Sequence, residues 1–302
     1  PLFILDGVPI SSSDFASLNP NDIENLSVLK DASSTSIYGA RAANGVVVIT
    51  TKRGKAGEKA RVILRAQYGF SNLAYGKWDQ MNTRQRLDFE EGIGLRTRGS
   101  YDREMLEKTD INWKDVVFNN DAPTQSYEVN VAGGAKSVNY YLSAGYFSQE
   151  GVAVGSDFER YTLRANLEAQ ATDWLTVGTN TAFTYSVAHE AEYGSYSIFT
   201  PISAARFMLP YWDPYKADGS PTSTSDGSWR GTFGNPMEYL AANPLERNKT
   251  QLVSSTFVEL NPIKDLKLRT MVGIEGGDVR TNTASLPSYP SNYGIGSVGK
   301  GF

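Results

Sequence analysis

Residues 159–171 read "ERYTLRANLEAQA", and their alternation decides how the whole chain is read. Tyr161, Leu163, Ala165, Leu167 and Ala169 fall on one face of an extended strand, and Arg160, Thr162, Arg164, Asn166, Glu168 and Gln170 on the other. Successive side chains of a strand point to opposite sides, so this stretch makes a ribbon with one apolar and one wet face. The same period runs through "RVILRAQYGF" (61–70), "SYEVNVAGG" (126–134), "VNYYLSAGYF" (138–147), "LTVGTNTAFTYSV" (175–187) and "LKLRTMVGI" (266–274), and less regularly through "LVSSTFVEL" (252–260).

The connections between these seven strands alternate in length. A long one (about 71–125) is followed by a tight one at "GGAKS", an intermediate one at "QEGVAVGSD" by a tight one at "TDW", and a very long one (about 188–250) by a tight one at "NPIKD". Up-and-down membrane barrels have this asymmetry, with short turns at one rim and long loops at the other. A soluble sandwich distributes loop length less systematically. Several strands reach the roughly 9–11 residues that a tilted membrane crossing needs. Trp174, Tyr140, Tyr146, Tyr161 and Tyr185 are candidates for interfacial aromatics, although each taken singly also fits an ordinary sheet.

The first 55 residues follow a different pattern. "PLFILDGVPI" (1–10) reads as strand, Asp-Gly turn and strand, with Pro9 placing the second strand at a sheet edge. "LNPNDIENLSVLKD" (18–31) offers a turn, a short helical turn and a strand near Leu26–Leu29. Asp31 is the expected N-cap of a helix over "ASSTSIY", which Gly39 would stop. Val46–Thr51 is an unbroken β-branched run, expected to be a strand buried on both faces. A small α+β unit is expected here, joined through "KAGEKA" (55–60) to the long strands.

The composition of the 302-residue chain narrows the function classes. Its 29 Lys plus Arg nearly balance 33 Asp plus Glu, so no global field attracts nucleic acid. The basic cluster Lys52, Arg53, Lys55, Lys59 and Arg61 lacks the interleaved aromatics of a single-strand binder and is assigned to the linker. With no cysteine and only His189, thiolate and His-rich metal sites are excluded, while carboxylate calcium sites stay open. No apolar run approaches the ~20 residues of a spanning helix, a test that barrel strands escape. "GARAANG" and "GIGLRTRG" fail the phosphate-loop and dinucleotide patterns, and no G-x-S-x-G accompanies His189–Glu190. Paired acids such as Glu90–Glu91 would suit a glycosidase only at the right separation, and solvation is their commoner fate. The chain reads as a non-enzyme that requires no cofactor.

"FILDGVPI", "NPNDIENLSVLKDASSTSIYGARAANGVVVITTKRG", "GGAKSVNYYLSAGYFSQEG" and "RYTLRANLEAQATDWLTVG" closely resemble SusC/RagA-type TonB-dependent outer-membrane transporters, over most of the chain. The resemblance implies a mainly β fold: a partial transmembrane antiparallel β-barrel, about seven strands of an expected 22, preceded by part of a small α+β plug domain. Residues 1–55 would be the C-terminal part of the plug. Residues 56–302 would be the first strands and extracellular loops of the barrel. By the same resemblance the family's signal sequence, TonB-binding box, N-terminal domain and first half of the plug are expected to be missing, so transport would belong to a longer parent protein.

Residue by residue, Asp6, Gly7, Val8 and Pro9 match the family's plug turn, and Leu29, Lys30 and Asp31 its strand-to-helix step. Tyr38, Gly39, Arg41, Ala42, Ala43, Asn44 and Gly45 match its signature loop. Arg41 and Asn44 are expected either to hydrogen-bond to the barrel's inner face or simply to be solvated in a tight connection. The implied function is import of oligosaccharides or peptides across the outer membrane of a Gram-negative bacterium. The implied partners are a SusD-like surface lipoprotein, the TonB-ExbB-ExbD complex and outer-membrane lipid. The connections 71–125 and 188–250 are candidates for contacting the lipoprotein. Tyr211, Trp212, Tyr215 and Trp229 in the loop 207–239 are candidate ligand platforms, since aromatic faces stack on sugars, but the same composition fits a loop packed on itself. The reading from a different class is a soluble β-rich carbohydrate-binding or adhesion module; a secreted glycosidase is a third.

Overall fold

The computed structural model describes residues 1–31, 36–74, 79–191, 200–223, 225–231 and 234–284. Two sheets organise them. The small sheet has strand order β2-β1-β4-β3, and the large one has seven strands in the order β11-β10-β9-β8-β7-β6-β5.

In the small sheet, β1 (Leu2–Leu5) and β2 (Val8–Ile10) form a hairpin through Asp6 and Gly7. Both turn residues have positive φ (45° and 90°), as a two-residue turn matching strand twist requires. Pro9 lies on β2, at the sheet edge where a missing N–H breaks no ladder. α1 (Ser12–Ser17) follows, capped by Ser11 and Asp14 in a reciprocal capping box. After a 3-10 turn at Pro20–Asp22 come β3 (Ile23–Leu29) and β4 (Val46–Thr51). β4 pairs parallel to β1 and antiparallel to β3, and its Val46, Val47 and Ile49 are buried. That position between two neighbours is what its β-branched run anticipates.

Part of the expected helix after Asp31, residues 32–35, lies outside the described residues. Residues Ser36–Ala42 form short 3-10 turns, broken at Gly39 (φ 67°, ψ −159°), so Gly39 is a kink within the segment and not its end. Gly45 has φ +87°, and a Cβ there would lie 3.1 Å from the Leu29 carbonyl oxygen.

The large sheet is a continuous antiparallel meander: β5 (Arg61–Ser71), β6 (Ala122–Gly134), β7 (Val138–Glu150), β8 (Asp157–Thr172), β9 (Leu175–His189), β10 (Leu245–Ile263) and β11 (Leu266–Thr283). Strands run longer than their apolar alternation alone suggested, because the ladders continue into polar ends such as Asp157–Arg160 and Leu245–Thr250. The tight turns lie at one rim and the long connections at the other. The linker after β4 crosses the tight-turn rim, with Gly57 N–H donating to Ala135 O at 3.1 Å and Gly134 N–H donating to Glu58 O at 3.0 Å.

The burial of this sheet is inverted relative to a water-soluble core. On β8 the polar residues Thr162, Arg164 and Asn166 are 7, 6 and 3% exposed, whereas Tyr161, Leu163 and Leu167 are 44, 55 and 42% exposed. The polar face is covered by the small sheet, and among the described residues the apolar face has no protein against it. A soluble sandwich would bury the opposite face, so the adhesion-module reading fails on this point.

Aromatic residues mark two heights on the apolar face. Tyr127, Tyr146, Tyr161 and Tyr185 stand directly opposite one another on β6 to β9, with ring centroids 6.4, 5.0 and 6.3 Å apart. Trp174 lies exposed at the tight-turn rim. From Trp174 to Tyr185 the chain rises about 36 Å at ~3.3 Å per residue. At a tilt of ~40° that is about 28 Å, close to the ~25 Å apolar band between the aromatic girdles of outer-membrane barrels.

Candidate functional site

Where the small sheet meets the large one, the contacts are mostly polar. Arg164, at the middle of the wet face of β8, places Nη1 3.5 Å from Asp6 Oδ2 and Nε 3.4 Å from Asp22 Oδ2. All three side chains are at most 4% exposed. Asp6 is held by the Thr51 backbone N–H (3.1 Å) and hydroxyl (2.6 Å), and Asp22 by the hydroxyls of Tyr141 (2.8 Å) and Ser143 (2.6 Å). The Asn166 amide donates to Thr51 Oγ1 and Lys52 O, both at 2.8 Å. Two carboxylates facing one guanidinium would leave excess negative charge, and Arg53, 4.0 Å from Asp6 Oδ1, offsets part of it.

The contact continues across the sheet. Asn19 donates to Glu128, which also accepts from Arg65 at 2.8 Å, and Arg160 donates to the Leu18 carbonyl. Ser17 donates to Gln251, and Lys249 to Asp14 at 2.8 Å. Apolar contacts accompany these: Val253 of β10 joins the cluster of Leu5, Val8, Ile10, Leu18 and Ile49, and Met271 and Gly273 of β11 lie against Gly7 and Val8.

The two long connections form a separate body above the other rim, here called the canopy. It contains α2 (Thr83–Gly92), α3 (Arg103–Leu106), α4 (Trp113–Val117), α5 (Pro201–Phe207) and α6 (Pro236–Ala242). Its core gathers Leu87, Trp113, Val117, Phe118, Ala204, Ala205, Met208, Tyr211, Trp212, Trp229 and Met237 from both connections. Trp113 and Trp229 pack edge to face at 6.2 Å, and Trp212 lies 5.7 Å from Trp229. Beneath Tyr211, buried Glu90 accepts from Arg86 Nε (2.7 Å), Arg96 Nε (2.6 Å) and the Tyr211 hydroxyl (3.0 Å). Burial alone would raise the Glu90 pKa, but these hydrogen bonds and the Arg86 charge bring it below the ordinary carboxylate range. Its neighbour Glu91 accepts from Tyr101 at 2.6 Å and pairs with Arg103 at 3.2 Å. Glu90 thus ties the two connections together, and Glu91, partly exposed, is paired within the first.

The N-terminal residues match the family model for the TonB-dependent receptor plug domain over residues 1–46. Along 97% of its length the chain is 30% identical to the TonB-dependent receptor SusC of Bacteroides thetaiotaomicron, covering 31% of that protein. It is 26% identical to the TonB-dependent receptor P26 of Formosa agariphila, over 99% of this chain and 30% of that one. Superposed on the RagAB peptide importer in its "open-open" state, 97% of the chain matches 36% of the solved chain with a TM-score of 0.79 and 31% identity. The "closed-closed" state gives 0.78. The chain belongs to the SusC/RagA-type TonB-dependent receptors. It spans about a third of the length of these relatives. In this receptor family's terms, the small sheet is plug and the seven strands are wall.

Of the residues matched to the family signature, Asp6 contacts the wall through charge. Gly7 forms the turn tip, where an added Cβ would run into the Met271 methyl of β11. Tyr38 packs with Ile4, Ala42 and Val46. Pro9, Lys30, Asp31, Gly39, Arg41 and Asn44 are exposed, and among the described residues neither Arg41 nor Asn44 hydrogen-bonds to the seven strands.

The ligand-platform expectation needs correction for three of its four residues. Tyr211, Trp212 and Trp229 are each 6% exposed and pack in the canopy core, where no ring face is open to a sugar. They are buried because the second connection, too long to pass as a bare loop, folds against Trp113 and Leu87 of the first. Tyr215, 37% exposed, is the one that retains an open surface. Asp22, Arg164, Tyr141, Thr51 and Asn166 were not singled out in the sequence. The available signal was Arg164 flanked by the short neutral Thr162 and Asn166 on the wet face of β8, which required a counter-charge from elsewhere.

Proposed function

We propose that this chain is a plug-bearing part of an outer-membrane importer of a Gram-negative bacterium, with residues 1–55 acting as the C-terminal part of the plug and 56–302 as wall and outer loops. The inverted burial carries the reading: an apolar face with aromatic girdles is turned outward, and a polar face closes on a plug through buried charge. In this reading ligand binds above the plug at the long-connection side, and a TonB-ExbB-ExbD-driven pull on the plug opens a path between plug and wall. A mostly polar plug interface suits this task, because hydrogen bonds exchanged for water on release cost less than re-exposing an apolar core. Arg41 and Asn44, exposed here, would meet the inner face of further strands.

The name of the RagAB peptide importer supports a peptide as cargo; an oligosaccharide as the alternative cargo and a SusD-like lipoprotein as lid over the canopy are carried over from the family resemblance. Because both long connections share one core, excising either would unfold the other. Contact is better tested at exposed Ile93 and Leu95. In the full-length receptor, Ile93→Asp with Leu95→Asp should lower co-purification of the lipoprotein at unchanged receptor level; unchanged recovery removes that surface from the assignment. Uptake of labelled oligosaccharides and peptides by cells with and without the gene, and with and without TonB, tests the import reading. Uptake of every such substrate unaffected by either deletion would overturn it.

A further inference from the structure

One cation on the wet face of the wall stands without an acid. Arg160 of β8 is half-buried, and its Nη1 donates to the Leu18 carbonyl of the plug at 3.3 Å. On the same face Arg65 pairs with Glu128 at 2.8 Å, Arg164 with Asp6 at 3.5 Å and Lys249 with Asp14 at 2.8 Å. Among the described residues Arg160 has the neutral carbonyl and an aromatic ring as its partners, and no carboxylate. A guanidinium carries five N–H donors, of which the carbonyl takes one. Keeping such a charge out of water without a counter-ion is costly, so the position is set up for an anion that comes from outside.

The surroundings say which anion. Phe147 stands directly opposite Arg160 on β7, with the guanidinium 5.4 Å from its ring centre. Phe158, the next inward residue of β8 toward the long-connection rim, has its ring 6.1 Å from that of Phe147 and Gln149 opposite it. Neither ring belongs to the canopy core or to the plug clusters. Arg160, Ser186 and Lys249 form one row across β8 to β10, and from this row Lys249 also holds the plug, at Ser13 and Asp14. Past it, toward the long connections, come the two phenyl rings. A planar guanidinium matches a carboxylate through two parallel hydrogen bonds, and phenyl faces suit an apolar side chain beside it. A neutral sugar would leave the charge uncompensated, and a uronate has no apolar group for the rings.

We propose that Arg160 receives a carboxylate of an imported peptide, with the adjoining apolar side chain against Phe147 and Phe158. The proposal rests on the importer reading above and names the chemistry of its cargo. A charged acceptor holds a shared donor more strongly than a neutral carbonyl does, so the arriving carboxylate draws Nη1 away from Leu18. The plug segment from α1 to the 3-10 turn at Pro20–Asp22 then loses one of its ties to the wall.

The test offers full-length receptor, purified in detergent, four equimolar heptapeptide pools: C-terminus free or amidated, Asp and Glu present or absent. Mass spectrometry quantifies what is retained. The wild type should retain carboxylate-bearing peptides about tenfold or more over the amidated, acid-free pool, as a charged hydrogen bond implies. Which of the two singly acidic pools is retained tells a terminal carboxylate from a side-chain one. Arg160→Gln should erase the preference while keeping the weak retention of the neutral pool, which shows that the variant is folded, and Arg160→Lys should restore part of it. Phe158→Ala should lower retention of peptides with Leu or Phe next to the carboxylate and leave the carboxylate preference in place. Hydrogen exchange of residues 12–22 should quicken on peptide binding in the wild type and not respond in Arg160→Gln. Equal retention of all pools by the wild type, a preference that survives Arg160→Gln, exchange unmoved by bound peptide, or capture of an oligogalacturonate in place of any peptide would each overturn the proposal. Uptake separates the two readings: peptide uptake lost on gene deletion but unchanged by Arg160→Gln sinks only the role of Arg160, whereas uptake indifferent to the deletion sinks the importer.

Discussion

Arg164 on the wall and Asp6 on the plug lie 3.5 Å apart, with side chains 4 and 3% exposed. The pair is sealed from solvent although its members belong to different sheets. Asp22 on the far side of the same guanidinium makes Arg164 the common counter-ion of two plug segments, the β1–β2 turn and the end of the 3-10 turn.

Removal of that counter-ion should therefore be severe. Arg164→Ala leaves two buried carboxylates facing each other, a change that typically costs ~3–5 kcal/mol. In the full-length receptor, limited proteolysis should cut the plug of this variant faster than that of the wild type. Adding Asp6→Asn and Asp22→Asn should restore part of the protection. Equal cleavage of Arg164→Ala and wild type would show that the plug is held elsewhere.

The orientation of the wall is testable one strand position away. Leu163→Lys puts a charge on the outward face at a position that is 55% exposed, a change that is nearly neutral in water. Within the hydrocarbon band the same change costs ~2–4 kcal/mol. Heat-modifiable gel migration and outer-membrane yield should both fall for Leu163→Lys and remain normal for Leu163→Phe.

The canopy should be acid-sensitive through Glu90. Its pKa in the folded receptor lies below the ordinary glutamate value, so its stabilisation is fully present above that ordinary value and is lost as pH falls through the folded pKa. Fluorescence of the canopy tryptophans, followed in the receptor from pH 6 downward, should show a transition below about pH 4.5 that Glu90→Gln abolishes. Glu90→Gln should also weaken the canopy at neutral pH, where two arginines lose their shared acceptor. A transition identical in the variant would place the acid-sensitive group elsewhere.

Core and surface roles of the canopy aromatics separate by substitution. Trp229→Ala should destabilise this body by ~3–5 kcal/mol, as expected for a buried aromatic truncated in a packed core. Tyr215→Ala should leave the melting temperature nearly unchanged and affect only binding of cargo or lid. Comparable melting of Trp229→Ala and wild type would contradict the packing.

Much of this architecture was legible in the chain. The β8 alternation showed which residues share a face, and the long-short rhythm of the connections placed tight turns at one rim. Asp6-Gly7 and the Val46–Thr51 run marked a hairpin and a central strand. The kink at Gly39 was less legible, because a glycine that stops a helix and one that bends a 3-10 segment have the same local sequence.

The sequence by itself determined periodicity, turn chemistry and the apolar or polar character of each ribbon face, because these depend on residues a few positions apart. Only the tertiary structure decided which buried charges meet and which aromatics are covered. Asp6, Asp22 and Arg164 are far apart along the chain, and so are Leu87 and Trp229. A carboxylate or an indole has the same local signature whether its partner is water or another segment. Burial supplies the difference, and burial arises only when the plug closes on the wet face of the wall and the two long connections fold into one core.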